Sequence, residues 1–229
     1  MSETDRIARA YQDLEIRSAG RWSQSNRGNQ AILAERQRSI ARVLDRVGWI
    51  PLAGRDILEV GCGRGTTIAS LREIGAEPRR MAGVDLLPDR VAGARKAFPE
   101  IDFRVGNAEK LEFGDASFDL VLAFTIFSSI HDPSMARNVA AEITRVLKRG
   151  AAALWYDLRY DSTNRNVRAV SPRRISELFP TLRPDLQTVT LLPPIARNLG
   201  PLTAAGYPLL ASIPPLRSHL IGLLHKPAA

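Results

Sequence analysis

The stretch EVGCGRG, residues 59–65, sets Gly61, Gly63 and Gly65 at alternate positions behind a carboxylate, Glu59, and a short apolar run. Glycines in this pattern let a chain turn sharply between a strand and a helix and bring backbone N–H groups and a helix N-terminus close to a bound nucleotide. Several nucleotides are held this way, and three details narrow the choice. The dinucleotide fingerprint wants glycine or alanine three residues after its second glycine, where this chain has Thr66. Glu59 would repel a pyrophosphate but could accept a hydrogen bond from a ligand ammonium, directly or through water. No lysine followed by serine or threonine closes the loop, which excludes a P-loop. Asp85 ends a second apolar run, where an acid can take a ribose hydroxyl or simply serve a turn.

Further along, His131 is the one histidine outside the C-terminal stretch that holds His219 and His225. It is the candidate general base, although it also directly precedes a helix cap, Asp132, and would then be a loop residue. Asp157, beside Tyr156, could orient an acceptor or pair with Arg159. Cys62 reads as packing next to the loop rather than as a nucleophile. No spacing typical of metal ligands stands out, so no metal site is expected.

These residues need a scaffold. Residues 3–18 and 29–48 read as two helices, the second with an apolar stripe of Ile32, Leu33, Ile40, Val43, Leu44 and Val47 at helical spacing and with Arg38, Arg42 and Arg46 along another face. Apolar runs at 57–60, 81–85, 101–105, 118–124 and 151–156 then alternate with helical segments at 66–73, 88–97 and 133–147. The last of these helices is opened by Asp132 as N-cap and proline at the first position. Strands alternating with helices imply a parallel sheet covered on both faces. Later come a short helix from Ser171, a strand at 186–192 and a last strand at 219–225. The stretch YPLLASIPPLRSHLIGLL is the most apolar in the chain. With three prolines, Arg217 and His219 it is a poor membrane span, and it reads as a core helix followed by a buried strand, with contact to a lipid surface as the lesser alternative.

In this order the motifs resemble those of the class I S-adenosylmethionine-dependent methyltransferases, over about residues 56–157. ILEVGCGRG is similar to their first motif, GVDLLPDRV to the second-strand motif, VGNAEKLEF to the third-strand motif, and SFDLVLAF and LKRGAAALWYD to the fourth and fifth strands. The nearest group is that similar to quinone-biosynthesis enzymes acting on small molecules. The resemblance implies an α/β, Rossmann-like seven-stranded sheet in the order 3-2-1-4-5-7-6, with strand 7 antiparallel, helices on both faces and an N-terminal helical extension. It implies a methyltransferase domain over 51–229, with residues 1–50 as an extension or lid in which Tyr11, Arg21 and Trp22 would touch the cofactor. S-adenosyl-L-methionine would be the cofactor and S-adenosyl-L-homocysteine the product. Glu59, Gly61, Cys62, Gly63 and Gly65 would lie along it, Asp85 and Leu86 at its ribose, Asn107 and Ala108 beside its adenine, and Phe124 at the end of strand four. His131 and Asp157 would then face the transferable methyl group.

Composition fits a single domain: 229 residues, 45% of them hydrophobic. One cysteine excludes an internal disulfide framework and, with no apolar stretch at the N-terminus resembling a secretory signal, points to a cytoplasmic protein. The net charge of +8 is mostly arginine interspersed with acids, which favours a solvated surface over an RNA track. No Asn/Asp-Pro-Pro-aromatic motif is present, which argues against methylation of DNA amino groups. The expected acceptor is a hydroxyl, carboxyl or amine of a small molecule such as a sugar, a natural product or a peptide end. An RNA methyltransferase and a non-catalytic cofactor-binding module are the alternatives, and peripheral membrane contact stays open.

Overall fold

The computed structural model describes residues 2–17, 23, 25–161 and 164–228. In chain order its elements are α1 (Glu3–Arg17), α2 (Arg27–Asp45), β1 (Ile57–Val60), α3 (Thr66–Ser70), β2 (Met81–Asp85), α4 (Pro88–Ala97), β3 (Asp102–Val105), β4 (Phe118–Phe124), α5 (Pro133–Val146), β5 (Leu147–Leu158), α6 (Pro172–Leu178), β6 (Arg183–Leu191), α7 (Pro193–Asn198), α8 (Thr203–Ala211) and β7 (Arg217–His225). The seven strands form one sheet in the order β3-β2-β1-β4-β5-β7-β6. Strands β1 to β5 run parallel, and β7 is antiparallel to both of its neighbours. This is the order and the antiparallel seventh strand that the motif resemblance implies.

All four residues of β1 are buried because both faces of the sheet are covered. Alternate side chains feed two cores. On one face Leu58, Val60, Val121 and Ala123 pack with Val139 and Ile143 of α5. On the other, Ile57, Leu120 and Leu122 pack with Ile40, Val43 and Leu44 of α2, Ile68 of α3 and Val91 of α4. Helix α2 is therefore part of the packed body, and α1 joins the other core through Ile7 and Tyr11. Caps set the helix starts: the side chains of Asn26, Asp132 and Ser171 accept backbone N–H groups at the openings of α2, α5 and α6.

From β1 the chain runs outward through β2 to β3 and then crosses back to β4, on the other side of β1. The carboxyl ends of β1 and β4 thus flank a topological switch point, where open α/β sheets form their ligand crevice. The connection from β6 to β7 passes along the same edge, since Leu191 pairs with Arg217 and Leu158 with His219. One expectation changes here. Helix α8 is not a core helix: it buries Thr203, Tyr207 and Ala211, while Leu209 on its other side is 69% exposed. The strand that follows is buried along most of its length.

Candidate active site

Around the carboxyl ends of β1, β2 and β4 lies a cavity of about 180 Å³. Gly61, Asp85, Leu86, Asn107, Ala108 and Phe124 all line it, and Ile7 and Tyr11 of α1 form its cover.

The glycine loop is built by backbone geometry. The N–H groups of Gly61 and Cys62 both donate to the carbonyl of Val84, at 2.8 and 3.0 Å, folding the loop onto the end of β2. Gly61 has φ +73° and Gly65 φ +75°, in the left-handed region that other residues avoid. At Gly65 a Cβ would also lie 2.5 Å from the Phe103 ring. Gly63 donates its N–H to the Asp85 carboxylate at 2.8 Å, and Leu87 donates to the other oxygen at 2.9 Å. A carboxylate can accept about four hydrogen bonds, so Asp85 keeps capacity toward the cavity. Cys62 is buried, and burial raises its thiol pKa well above the usual range, with Glu59 and Asp85 adding to the shift. It is no nucleophile.

Glu59 lies beneath this loop and off the cavity wall. Its Oε2 accepts the N–H of Ile68 at 3.0 Å, in the first turn of α3, whose cap residue Gly65 supplies no side chain. Burial pushes its pKa up to about 8. Asn107 shapes the rim: its Oδ1 accepts from Glu109 N at 2.9 Å while its Nδ2 donates to Glu109 Oε2 at 3.2 Å, an Asx turn beside the cavity.

At the end of β4, Thr125 lines the cavity with φ +51°, held by its N–H to the Tyr156 carbonyl at 2.7 Å. A β-branched residue in that region stores about 1–3 kcal/mol of strain, the kind that collects at ligand sites. Asp157 sits one layer below the wall. It is fully buried, accepts from Ser128 N at 3.0 Å and from its own neighbour Leu158 N at 2.8 Å, and is pushed up to about 6 by burial. It anchors the turn after β4 and does not pair with Arg159, which stacks over the Tyr160 ring.

His131 does not line this cavity. The end of that same turn carries it under α1, where its N–H meets the Glu3 carboxylate. Burial and the nearby Arg6 and Arg168 lower its pKa. Its Nε2 is buried and unpartnered among the described residues.

Three α1 side chains hold that helix over the cavity. Glu3 accepts from the backbone of His131 and Asp132, Arg6 donates to the Ser129 carbonyl, and the Tyr11 hydroxyl lies 3.0 Å from Ser129 Oγ. The Arg90 guanidinium covers the Tyr11 ring at 4.5 Å. Tyr11, expected near the cofactor, lines the cavity; the contacts of Glu3 and Arg6 were not legible, their one signal being an i, i+3 acid–base pair. Arg21 and Trp22 lie outside the described residues.

Arg36 of α2 was missed altogether, because α2 reads only as a packing helix. Its guanidinium sits 5.9 Å from the Phe124 ring and 5.7 Å from that of Tyr156, with Nη2 3.4 Å from Thr67 Oγ1. Its Nε is buried without a partner among the described residues.

Residues 57–150, from β1 into the start of β5, match a family model described as a methyltransferase domain. Over that stretch the chain is similar to S-adenosylmethionine-dependent methyltransferases. A probable S-adenosylmethionine-dependent methyltransferase of Mycolicibacterium smegmatis is 35% identical over 102 residues, which are 44% of this chain and 37% of that protein. The demethylmenaquinone methyltransferase of Chlorobaculum parvum is 38% identical over 97 residues, 42% of this chain and 38% of its own length. The matches therefore span well under half of these curated relatives. Over the whole methyltransferase fold, the crystal structure of Burkholderia thailandensis 1,6-didemethyltoxoflavin-N1-methyltransferase with bound S-adenosylhomocysteine superposes at a TM-score of 0.63. It covers 99% of this chain and 92% of that one at 18% identity. The match to the family model ends at residue 150, inside β5, and the strands that complete the sheet lie beyond it.

Proposed function

We propose that this chain transfers the methyl group of S-adenosylmethionine to a hydroxyl, carboxyl or amine of a small molecule. The observation that carries the proposal is the Asp85 carboxylate, tied to the glycine loop yet still open to the cavity between β1, β2 and β4.

The residues present fit that cofactor. The spare lone pairs of Asp85 suit a ribose diol, and Leu86, Ala108 and Met135 offer apolar walls to a purine, with Asn107 at its edge. Arg36, behind Phe124 rather than on the cavity wall, has an unpartnered Nε that suits a carboxylate reaching past that ring. Glu59 acts from below by holding the first turn of α3. When bound, S-adenosylmethionine supplies a methyl group on a sulfonium whose positive charge is lost on transfer.

The protein's share is alignment, which in the best intramolecular models lowers barriers by about 7–11 kcal/mol. Asp157 positions the turn after β4 through Ser128, and the strained Thr125 ends the strand at the acceptor side. Helix α1 serves as a lid. A cavity of about 180 Å³ is below the roughly 300 Å³ at which ligand pockets begin, so entry of the whole cofactor requires α1 to lift.

RNA as acceptor is less well supported, because the arginines are interspersed with acids and several are paired with them. Arg145 bridges Glu142 and Asp115, Arg104 meets Asp102, and Arg80 meets Asp56. The test is calorimetry with S-adenosylhomocysteine and NAD in parallel, together with thermal unfolding. Saturable binding of the first alone, with a rise of about 5–10 °C in Tm at 100 times Kd, is expected. No binding of S-adenosylhomocysteine would overturn the proposal.

A further inference from the structure

Residues 199–216, which run from the end of α7 through α8 to the start of β7, contain no charged side chain. The segment does not spend its apolar residues on the core. Leu202 is 71% exposed, Leu209 69% and Ile213 43%. Leu209 lies on the side of α8 away from the buried Thr203, Tyr207 and Ala211, with Leu202 just before the helix and Ile213 just after it. Pro201, Ala205, Pro214 and Pro215 are exposed around them. Contiguous apolar surface of this kind marks an interaction site.

The surroundings of the patch say what it meets. A cleft of about 460 Å³ separates α8 from α2, and Arg38, Arg42 and Arg217 line it. Arg38 and Arg42 are exposed, one helical turn apart, and have no acidic partner among the described residues. The one acid in the cleft, Glu35, is engaged by the Tyr207 hydroxyl at 2.6 Å. On the far side Arg159 reaches the Pro214 carbonyl and stacks on the exposed ring of Tyr160. An uncharged apolar segment with an arginine-lined cleft along one flank and Arg159 at its C-terminal end matches an anionic lipid surface, with leucines entering the acyl boundary and guanidinium groups at the phosphates.

We propose that α8, with Arg38 and Arg42 beside it, docks this chain onto an anionic lipid bilayer. The β6–β7 connection lies on the same sheet edge as the cavity. Three strand steps, about 14 Å, separate β6 from β4. A bilayer on this face would bring a membrane-dissolved acceptor to the same carboxyl edge of the sheet as the cavity. That last consequence rests on the methyl-transfer proposal, whereas the docking itself does not.

The experiment is flotation of the full chain with vesicles of phosphatidylcholine, with and without phosphatidylglycerol. S-adenosylhomocysteine binding is measured separately, so that failure of docking and failure of the cofactor proposal are told apart. Binding is expected only to the anionic vesicles, and it should fall at least about tenfold between 0.1 and 0.5 M salt. Leu202→Ser with Leu209→Ser should weaken it by about tenfold or more, and Arg38→Gln with Arg42→Gln by about tenfold, with Tm and S-adenosylhomocysteine binding unchanged. The lipid and salt dependence of the unaltered chain decides the matter even if a variant misfolds. Absence of binding to anionic vesicles would overturn the proposal, as would binding indifferent to the two leucines. So would a dimer in sedimentation velocity that the leucine variant dissociates, since the patch would then be a self-interface.

Discussion

Asp85 accepts the backbone N–H of Gly63 through one carboxylate oxygen and that of Leu87 through the other, at 2.8 and 2.9 Å. One side chain at the end of β2 thus fixes both the glycine loop and its own turn before any ligand arrives. Replacing it by asparagine keeps the shape but gives up the charge and one acceptor. Asp85→Asn should weaken S-adenosylhomocysteine binding by about 10- to 100-fold, the range for a hydrogen bond to a charged group. Unchanged affinity by calorimetry would remove Asp85 from the site.

Arg36 can be tested with a pair of ligands. S-adenosylhomocysteine has an amino-acid carboxylate, and 5′-methylthioadenosine has the same adenosine without one. Arg36→Met should cost the first about tenfold in Kd and leave the second almost untouched. An equal loss for both would make Arg36 a packing residue under Phe124 and Tyr156.

The lid should respond to acid. Contacts with Arg6 and with the His131 and Asp132 backbone hold the Glu3 pKa well below its ordinary value of 4.5, down to about 2. A lowered carboxylate contributes stability that is complete above its unfolded pKa and disappears as pH falls through the folded one. Amide exchange in residues 3–11, corrected for intrinsic rate, should therefore accelerate from pH 4.5 toward pH 2. Glu3→Gln should show the faster exchange already at neutral pH, and an unaltered exchange rate would count against α1 as a clasped lid.

Glu59 has the opposite sign. Its pKa is raised from 4.5 to about 8, so the folded chain holds a proton that the unfolded chain has released, and stability falls as pH rises between those values. Glu59→Gln keeps a neutral group at the α3 N-terminus and should flatten that fall, by on the order of 3 kcal/mol across the window. Urea unfolding at pH 5 and pH 8 measures it; parallel slopes for both proteins would show that Glu59 is not protonated in the folded state.

His131 should not govern proton removal. His131→Asn is expected to lower turnover, if at all, without moving the pH–rate profile. Loss of an acidic limb from that profile would return the imidazole to the chemistry.

The sheet was legible because its signals are local: ILEV, MAGVD and FDLVLAF are short apolar runs bounded by turns, and each is a buried parallel strand. The glycine loop was equally clear, since φ above zero and close backbone approach demand glycine. What escaped depends on relations between distant residues. Glu3 and Arg6 matter only because the turn after β4 passes beneath them, and Arg36 only because α2 lies against Phe124 and Tyr156. The contact between the His131 N–H and Glu3 depends likewise on the path of that turn under α1. The exposure of Leu209 could not be read at all, because an uncharged stretch looks the same whether it is buried or facing outward.

The place of β7 has a consequence for synthesis of the chain. Arg217–His225 comes after every other element, yet it lies in the sheet between β5 and β6. As the polypeptide leaves the ribosome, β5 keeps an unpaired edge and β6 has no neighbour until these nine residues emerge. Helices α6, α7 and α8 are by then complete and have no finished sheet to close against. A nascent chain stalled just before Arg217 would carry two open strand edges at once, which makes that interval the point at which chaperones and degradation have most to recognise.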